Sequence, residues 1–276
     1  MIGRQDLERE LLEIAPFSAS LMRLTDIILS GSYTIDDICN VIKLDQALTL
    51  DVIAYANSAE SGSIKTIASV QEAIVRMGGS RIMRYLLAKW FRGSVAATIG
   101  SSADSLLFWK HGIHAAIASD VIADAVKELT HPAAFTTCLV HDVGWVPFAG
   151  WSMRFRHVFD WQLFRTEGQD KERKRFGYDH PEVGAMVLEK WRFPVDSINA
   201  VRFHSQLSGG PEILTDIIRL SNTVCHFLEA KEGSVEPLHM RELETKYRIK
   251  SAMLQEIVDS TRLVVAKTLE EFGVAT

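Results

Sequence analysis

The chain has 276 residues, 47% of them hydrophobic, enough for a packed core in one large domain or two smaller ones. Its net charge of −5 speaks against a protein built around the nucleic-acid backbone, because that partner leaves a strongly basic footprint. Cys39, Cys138 and Cys225 are odd in number, far apart and set in apolar surroundings, unlike a disulfide framework or a Cys-x-x-Cys metal knuckle, and they fit a reducing cytoplasm.

The opening MIGRQDLERE is charged from its first turn and lacks the apolar centre of a signal peptide. From there apolar residues recur at i, i+3, i+4 and i+7 in nearly every segment, and period-two alternation is hard to find, so the expected fold is all-α. Thr34 with Asp37 and Ser69 with Glu72 have capping-box spacing at two helix starts, and Gly78-Gly79 reads as a helix stop. The most apolar window, IMRYLLAKWFRGSVAATIG, is interrupted by Arg84, Lys89 and Arg92 and cannot span a bilayer. Small and polar residues in ATIGSSADS, positions 97 to 105, suggest a seam: an N-terminal helical subdomain over 1–98 and a second helical subdomain over 99–276.

In the second half, Phe148, Trp151, Phe155 and Phe159 form an apolar stripe at helical spacing, expected to pack internally, with Arg154, Arg156 and Arg165 interleaved. The mixed-sign run EGQDKERKRFGYD is expected in water. DHPEVGAMVLEKWRFP reads as a helix with Pro181 at its first position and Pro194 forcing the next break. The tail, ELETKYRIKSAMLQEIVDSTRLVVAKTLEEFG, is helical with a step at Arg248 to Lys250, closing the bundle or pairing with a second copy.

Chemistry concentrates in CLVHDVGW, where His141 and Asp142 stand in an apolar stretch. A buried unpaired charge there is costly, so the pair is expected to hold a metal ion, a catalytic water, or neighbouring groups in a complete hydrogen-bonded network. Imidazole suits several divalent transition metals and carboxylate the harder ones, so a mixed site accepts Mn, Fe, Ni, Zn or Mg. Further histidines follow helical stretches: His111 and His114 in FWKHGIHAA, His180 in GYDHPEVG and His204 in VRFHSQ.

The order His111, His141-Asp142, His180, His204 resembles the HD superfamily of metal-dependent phosphohydrolases. The text is more similar still to one branch, the HDOD domain of bacterial signalling proteins. The resemblance is carried by ICNVIKLDQALTLDVIAYANSA, SVQEAIVRMGGSRIMRYLLA, FWKHGIHAA, TCLVHDVGW, FGYDHPEVGAMVLEKWRFP and AVRFH, about residues 16 to 205, with Asn57-Ser58 and EAIVRMG its most specific parts. It implies an HD-like helical bundle preceded by an N-terminal helical subdomain, in a cytoplasmic regulator that binds a signalling protein or a small ligand in the HD cleft, alone or as an oligomer. It implies His111, His141, Asp142, His180 and His204 as the metal set, with Zn, Ni, Fe or Mn as the ion if one is held. No cofactor, catalytic residue, nucleic acid or membrane is implied.

The sequence also departs from the superfamily pattern. The later Asp of the ligand set is matched by Asn222, which brings no charge; the partner of His204 is Ser205; and the Lys found after the His-Asp pair in related hydrolases is Trp145, which cannot stabilise phosphate charge. These losses favour regulation without catalysis; the alternative is an HD-type phosphohydrolase acting on a nucleotide or other phosphoester. Asn57 and Ser58 are expected to cap or turn the chain locally, a binding role being the alternative.

Overall fold

The computed structural model describes residues 4–14, 18–30, 32–58, 66–155, 161, 168–206, 212–229 and 240–274. Among them are fifteen helices and no strand. In chain order they are α1 Arg4–Glu13, α2 Ala19–Leu29, α3 Ile35–Lys43, α4 Gln46–Ala56, α5 Val70–Met77, α6 Gly79–Ile99, α7 Ala103–Ala125, α8 Ala134–Leu139, α9 Trp145–Arg154, α10 Gln169–Phe176, α11 His180–Lys190, α12 Val195–Phe203, α13 Glu212–Glu229, α14 Met240–Tyr247 and α15 Ser251–Glu271. None of the described helices is long and apolar enough to cross a membrane.

The helix boundaries follow local chemistry. At α3 the capping box is complete: the Thr34 hydroxyl accepts from the Asp37 amide at 3.2 Å, and the Asp37 carboxylate accepts from the Thr34 amide at 2.8 Å. Ser69 caps α5 by accepting from the Glu72 amide at 3.1 Å. Gly78 ends α5 at φ 85°, a conformation glycine adopts freely, and Gly79 already begins α6, so only the first glycine of the pair is a stop. Pro181 is the second residue of α11, behind Asp179 at the cap. The expected step in the tail is the break between α14 and α15, where Arg248 takes φ 55°.

The chain forms two compact units. One comprises residues 17–90 and 263–276, built on α2 to α5, with the first part of α6 and the last part of α15. Tyr55 and Tyr85 stack there at 3.8 Å, and the Tyr55 hydroxyl donates to Glu271 at 2.7 Å while accepting from Arg81 at 3.0 Å. Asn57 is a staple: its amide donates to the carbonyls of Ile53 (2.9 Å) and Ile67 (2.7 Å), and its oxygen accepts from the Ile67 amide at 2.8 Å. That is the local backbone role expected of it.

The other unit comprises residues 1–16 and 91–262 and contains every histidine of the expected metal set. Its centre is α7, packed against α8 and α13, with α11 against α12 beside them. The stripe on α9 turns inward at Phe148, which is fully buried and stacks on Phe176 at 4.2 Å, while Phe155 is half exposed. Phe159, Arg156 and Arg165 lie outside the described residues. The charge run is not all in water: Glu172 and Phe176 on α10 are buried.

Candidate metal centre

Four chain segments deliver the candidate ligands to one place. His111 sits in the middle of α7, where Gly112 allows close approach: a β-carbon there would lie 2.5 Å from the Leu139 carbonyl oxygen. α7 therefore lies against the end of α8, and the next residues, 140–144, run in tight turns with the Val143 amide bonded to Val140 O and the Trp145 amide to Asp142 O. His141 and Asp142 are on these turns and not on a regular helix, so the 100° divergence of helical neighbours does not apply to them.

His180 opens α11. Gly144 is pressed onto it so closely that a β-carbon would lie 1.9 Å from the His180 carbonyl oxygen. Asp179 caps α11 by accepting from the Glu182 amide at 3.0 Å and is held by Arg173 at 2.6 and 2.9 Å. His204 ends α12, on a turn whose Phe203 and Gln206 carbonyls accept from the Arg219 guanidinium. Arg219 is in turn paired at 3.1 Å with buried Asp216, which also accepts from Lys246 and Tyr247 at 2.8 Å.

The result is a ring of imidazoles around one carboxylate. Nε2 of His141, His180 and His204 lie 3.4, 3.4 and 3.5 Å from Asp142 Oδ1, and Nε2 of His111 lies 3.4 Å from Oδ2. Each ring is fixed from its far side. Nδ1 of His141 donates to Cys138 O at 2.8 Å and that of His204 to Val201 O at 2.6 Å. Nδ1 of His180 donates to Glu172 at 2.8 and 2.9 Å, and that of His111 to Glu229 at 3.1 and 3.2 Å.

A carbonyl or carboxylate only accepts, so each Nδ1–H is the donor, and each ring is held with its Nε2 turned toward Asp142. Four Nε2 atoms and one carboxylate thus converge in one place, a donor set that suits a divalent transition metal. Burial drives the His141 pKa down to about 3, favouring the neutral ring despite Asp142 nearby. Burial also works to raise the Asp142 pKa, but the surrounding imidazoles outweigh it and keep the carboxyl ionised. For His180 burial is outweighed by the bond to Glu172, and its pKa is raised.

These atoms form two candidate ligand groups that share Asp142: His111, His141 and Asp142 in one, Asp142, His180 and His204 in the other. A cavity of about 280 Å³ opens beside them, lined by His111, Asp142, Trp145, Gly168, Gln169, Glu172, His180, Ser205, Asn222 and His226. Asn222 aims a buried Oδ1 that makes no hydrogen bond among the described residues. Trp145 lies flat on His180, ring centroids 5.1 Å apart, and is itself buried. His114 points to Glu229 at 2.9 Å and takes no place in the ring.

Residues 14–207 match the HDOD domain. The chain belongs to the HDOD family. This HDOD chain is 25% identical over 232 residues to an uncharacterized protein of Treponema pallidum (strain Nichols), a match covering 79% of this chain and 43% of that one. It spans less than half the length of the curated relatives it matches. Among solved structures, a candidate signal transduction protein of Marinobacter aquaeolei VT8 superposes with a TM-score of 0.74 at 15% identity, over 98% of this chain and 65% of that one. A candidate metal-dependent phosphohydrolase of Shewanella amazonensis SB2B superposes with a TM-score of 0.61 at 16% identity, over 95% of each chain. At these identities the likeness is one of fold.

Two members of the site escape a reading of the sequence. Glu172 is hidden in a charge run that resembles a solvated helix. Glu229 is 118 residues from its partner His111; Asn222, His226 and Glu229 do recur at i, i+4, i+7 on α13, but Thr215, Asp216, Arg219, Ser221 and Thr223 on the same helix hide that spacing.

Proposed function

We propose that this HDOD chain is a cytoplasmic signalling module that holds a divalent transition metal with His111, His141, Asp142, His180 and His204 and acts by binding a protein or small ligand without hydrolysing it. The observation that carries the metal is the convergence of four anchored Nε2 atoms on Asp142 at 3.4 to 3.5 Å. Anchoring of the far nitrogen is the usual way a protein orients a ligating histidine. Regulation without turnover is supported by Asn222, neutral where a carboxylate ligand is expected, and by Trp145 lying on His180 where a phosphate-stabilising cation is expected. A phosphoryl group entering the cavity would instead meet the carboxylates of Asp142 and Glu172. Acidic overall charge favours a protein or small-molecule client over nucleic acid, and nothing in the composition favours a membrane.

A second reading, metal-dependent phosphohydrolase, is favoured by the two ligand groups sharing Asp142 beside an open cavity. A bound dication supplies an acidified water and polarises a phosphoryl oxygen. In that reading Asp142 and the histidines orient the site, and Ser205, Asn222 and His226 face the incoming ligand.

The test measures metal content of purified protein by elemental analysis after loading with Zn, Ni, Fe or Mn, and phosphate release from nucleotides and cyclic dinucleotides. Stoichiometric metal lost in His141→Ala, with no turnover, is the expected result. Turnover that needs the metal and vanishes in His141→Ala would replace the first reading by the second. Protein that takes up no metal and is indifferent to His141→Ala would remove both.

A further inference from the structure

The ligand set just described is rich in nitrogen and poor in charge. Four neutral imidazoles and Asp142 bring a single negative charge to a dication, and Asn222 adds none. Yet two further carboxylates stand one imidazole away. Glu172 is 3% exposed, and its hydrogen bonds among the described residues go to the amide and Nδ1 of His180. Glu229 accepts from Nδ1 of His111 at 3.1 Å and of His114 at 2.9 Å.

Their placement is selective. His141 and His204 are anchored by backbone carbonyls, whereas the two rings anchored by carboxylates approach different oxygens of Asp142, His111 at Oδ2 and His180 at Oδ1. A carboxylate bonded to Nδ1–H increases electron density at Nε2 and makes the ring a stronger ligand. Among the described residues, burial of Glu172 is offset by its bonds to His180. A dication offsets two of the three charges on Asp142, Glu172 and Glu229, whereas with Asp142 alone it would be under-neutralised.

We infer that Glu172 and Glu229 are charge-balancing positioning residues of the metal centre, supplying from behind His180 and His111 the negative charge that Asn222 lacks, and that the centre so built selects a zinc-, nickel- or iron(II)-like dication over magnesium or calcium. The inference rests on the proposed metal-binding reading. Selectivity follows from ligand chemistry: magnesium and calcium take oxygen ligands, and here ring nitrogens outnumber carboxylate oxygen while Glu172 and Glu229 are engaged by Nδ1 of His180 and His111.

Glu172→Gln and Glu229→Gln separate charge from geometry, because the glutamine oxygen still accepts from Nδ1–H and keeps the ring and its tautomer in place. Zinc affinity is measured by competition with a chromophoric chelator, cobalt(II) coordination by visible absorption, and stability with and without zinc by thermal denaturation. Each single variant is expected to bind zinc about 10-fold more weakly and the double variant about 100-fold, the range found for outer carboxylates. The zinc-loaded protein should lose more stability than the metal-free protein, and the cobalt spectrum of each single variant should keep its shape. A purely structural role predicts equal loss with and without metal and unchanged zinc affinity, and that result would overturn the inference. Wild-type protein that binds zinc while the variants bind it equally well would also overturn it and leave the metal reading standing. Magnesium displacing zinc at equal concentration would refute the selectivity. Wild-type protein that binds none of these ions would remove the metal reading itself, and the inference with it. Should the double variant fail to fold, the two singles, measured separately, decide the matter.

Discussion

Gly144 is the hinge between the sequence motif and the assembled site, and Gly144→Ala tests whether the seat of the His-Asp turn on α11 is as close as described. The added methyl would lie 1.9 Å from the His180 carbonyl oxygen and 2.5 Å from the Gly184 amide nitrogen, where real contacts of a β-carbon essentially never fall below 3.0 Å. Both obstacles are backbone, so no rotamer change relieves them; the turn and α11 must separate by about 1 Å, carrying His180 away from Asp142. Overpacking of this kind costs about 3 kcal/mol, at the upper end of its range, which corresponds to a fall in Tm of roughly 6–12 °C for a domain of this size. The control is Gly93→Ala in α6, where a β-carbon meets nothing within 4 Å and the exposed helical position should gain about 0.5–1 kcal/mol. Urea unfolding of the two variants should therefore give midpoint shifts of opposite sign from the same chemical change. A Gly144→Ala protein within about 1 kcal/mol of wild type, well below the overpacking cost, would mean that the turn is not seated on α11, and the ring of histidines would lose its geometric basis.

Three other outcomes are expected. Asn57→Asp, nearly isosteric, loses two donated hydrogen bonds and sets a carboxylate against two carbonyl oxygens, which should cost about 2 kcal/mol in chemical denaturation. Asp216→Ala leaves the largely buried Arg219 without its carboxylate and should cost about 3 kcal/mol, with weaker zinc retention because Arg219 holds the turn that carries His204. The Asp37 carboxyl is held below its ordinary value of 3.8, first by the Thr34 amide and then by the Thr34 hydroxyl. A depressed carboxyl stabilises above the unfolded-state value and loses that contribution as pH falls through the folded one, so the stability gap between wild type and Asp37→Asn should be open at pH 7 and close in strong acid.

Much of the fold was legible because it is written locally. Thr34-Asp37, Ser69, Gly78 and the step at residue 248 are each decided by a few bonds between near neighbours, and a side chain that satisfies an orphan amide does so whatever lies further off. The family was legible for a related reason: the matched segments span most of the described unit containing the histidines, and the HDOD match over 14–207 nearly coincides with the stretch that the resemblance covers. What misled was charge. EGQDKERKRFGYD has the composition of a solvated helix, and periodicity cannot tell an exposed glutamate from one that leaves water to anchor a histidine, because the deciding partner, His180, is on the next helix.

The same distinction runs through the site itself. For His141 and His204 the anchoring carbonyl is three residues back, on Cys138 and Val201, so the turn that positions the ring also fixes its proton, and such a histidine needs nothing distant to present a lone pair. His180 and His111 depend instead on carboxylates 8 and 118 residues away, which meet them only through the packing of α10 beside α11 and of α13 against α7. The identities of the candidate ligands are therefore local information, while the proposed charge balance is tertiary information. A count of acids along the motif finds one and concludes that the centre is starved of anion; a count in space finds three. On the proposed metal-binding reading, a neutral Asn222 is then not by itself an obstacle to holding an ion, since a carboxylate also acts through the imidazole it anchors, and the Asn222 side chain lines the cavity.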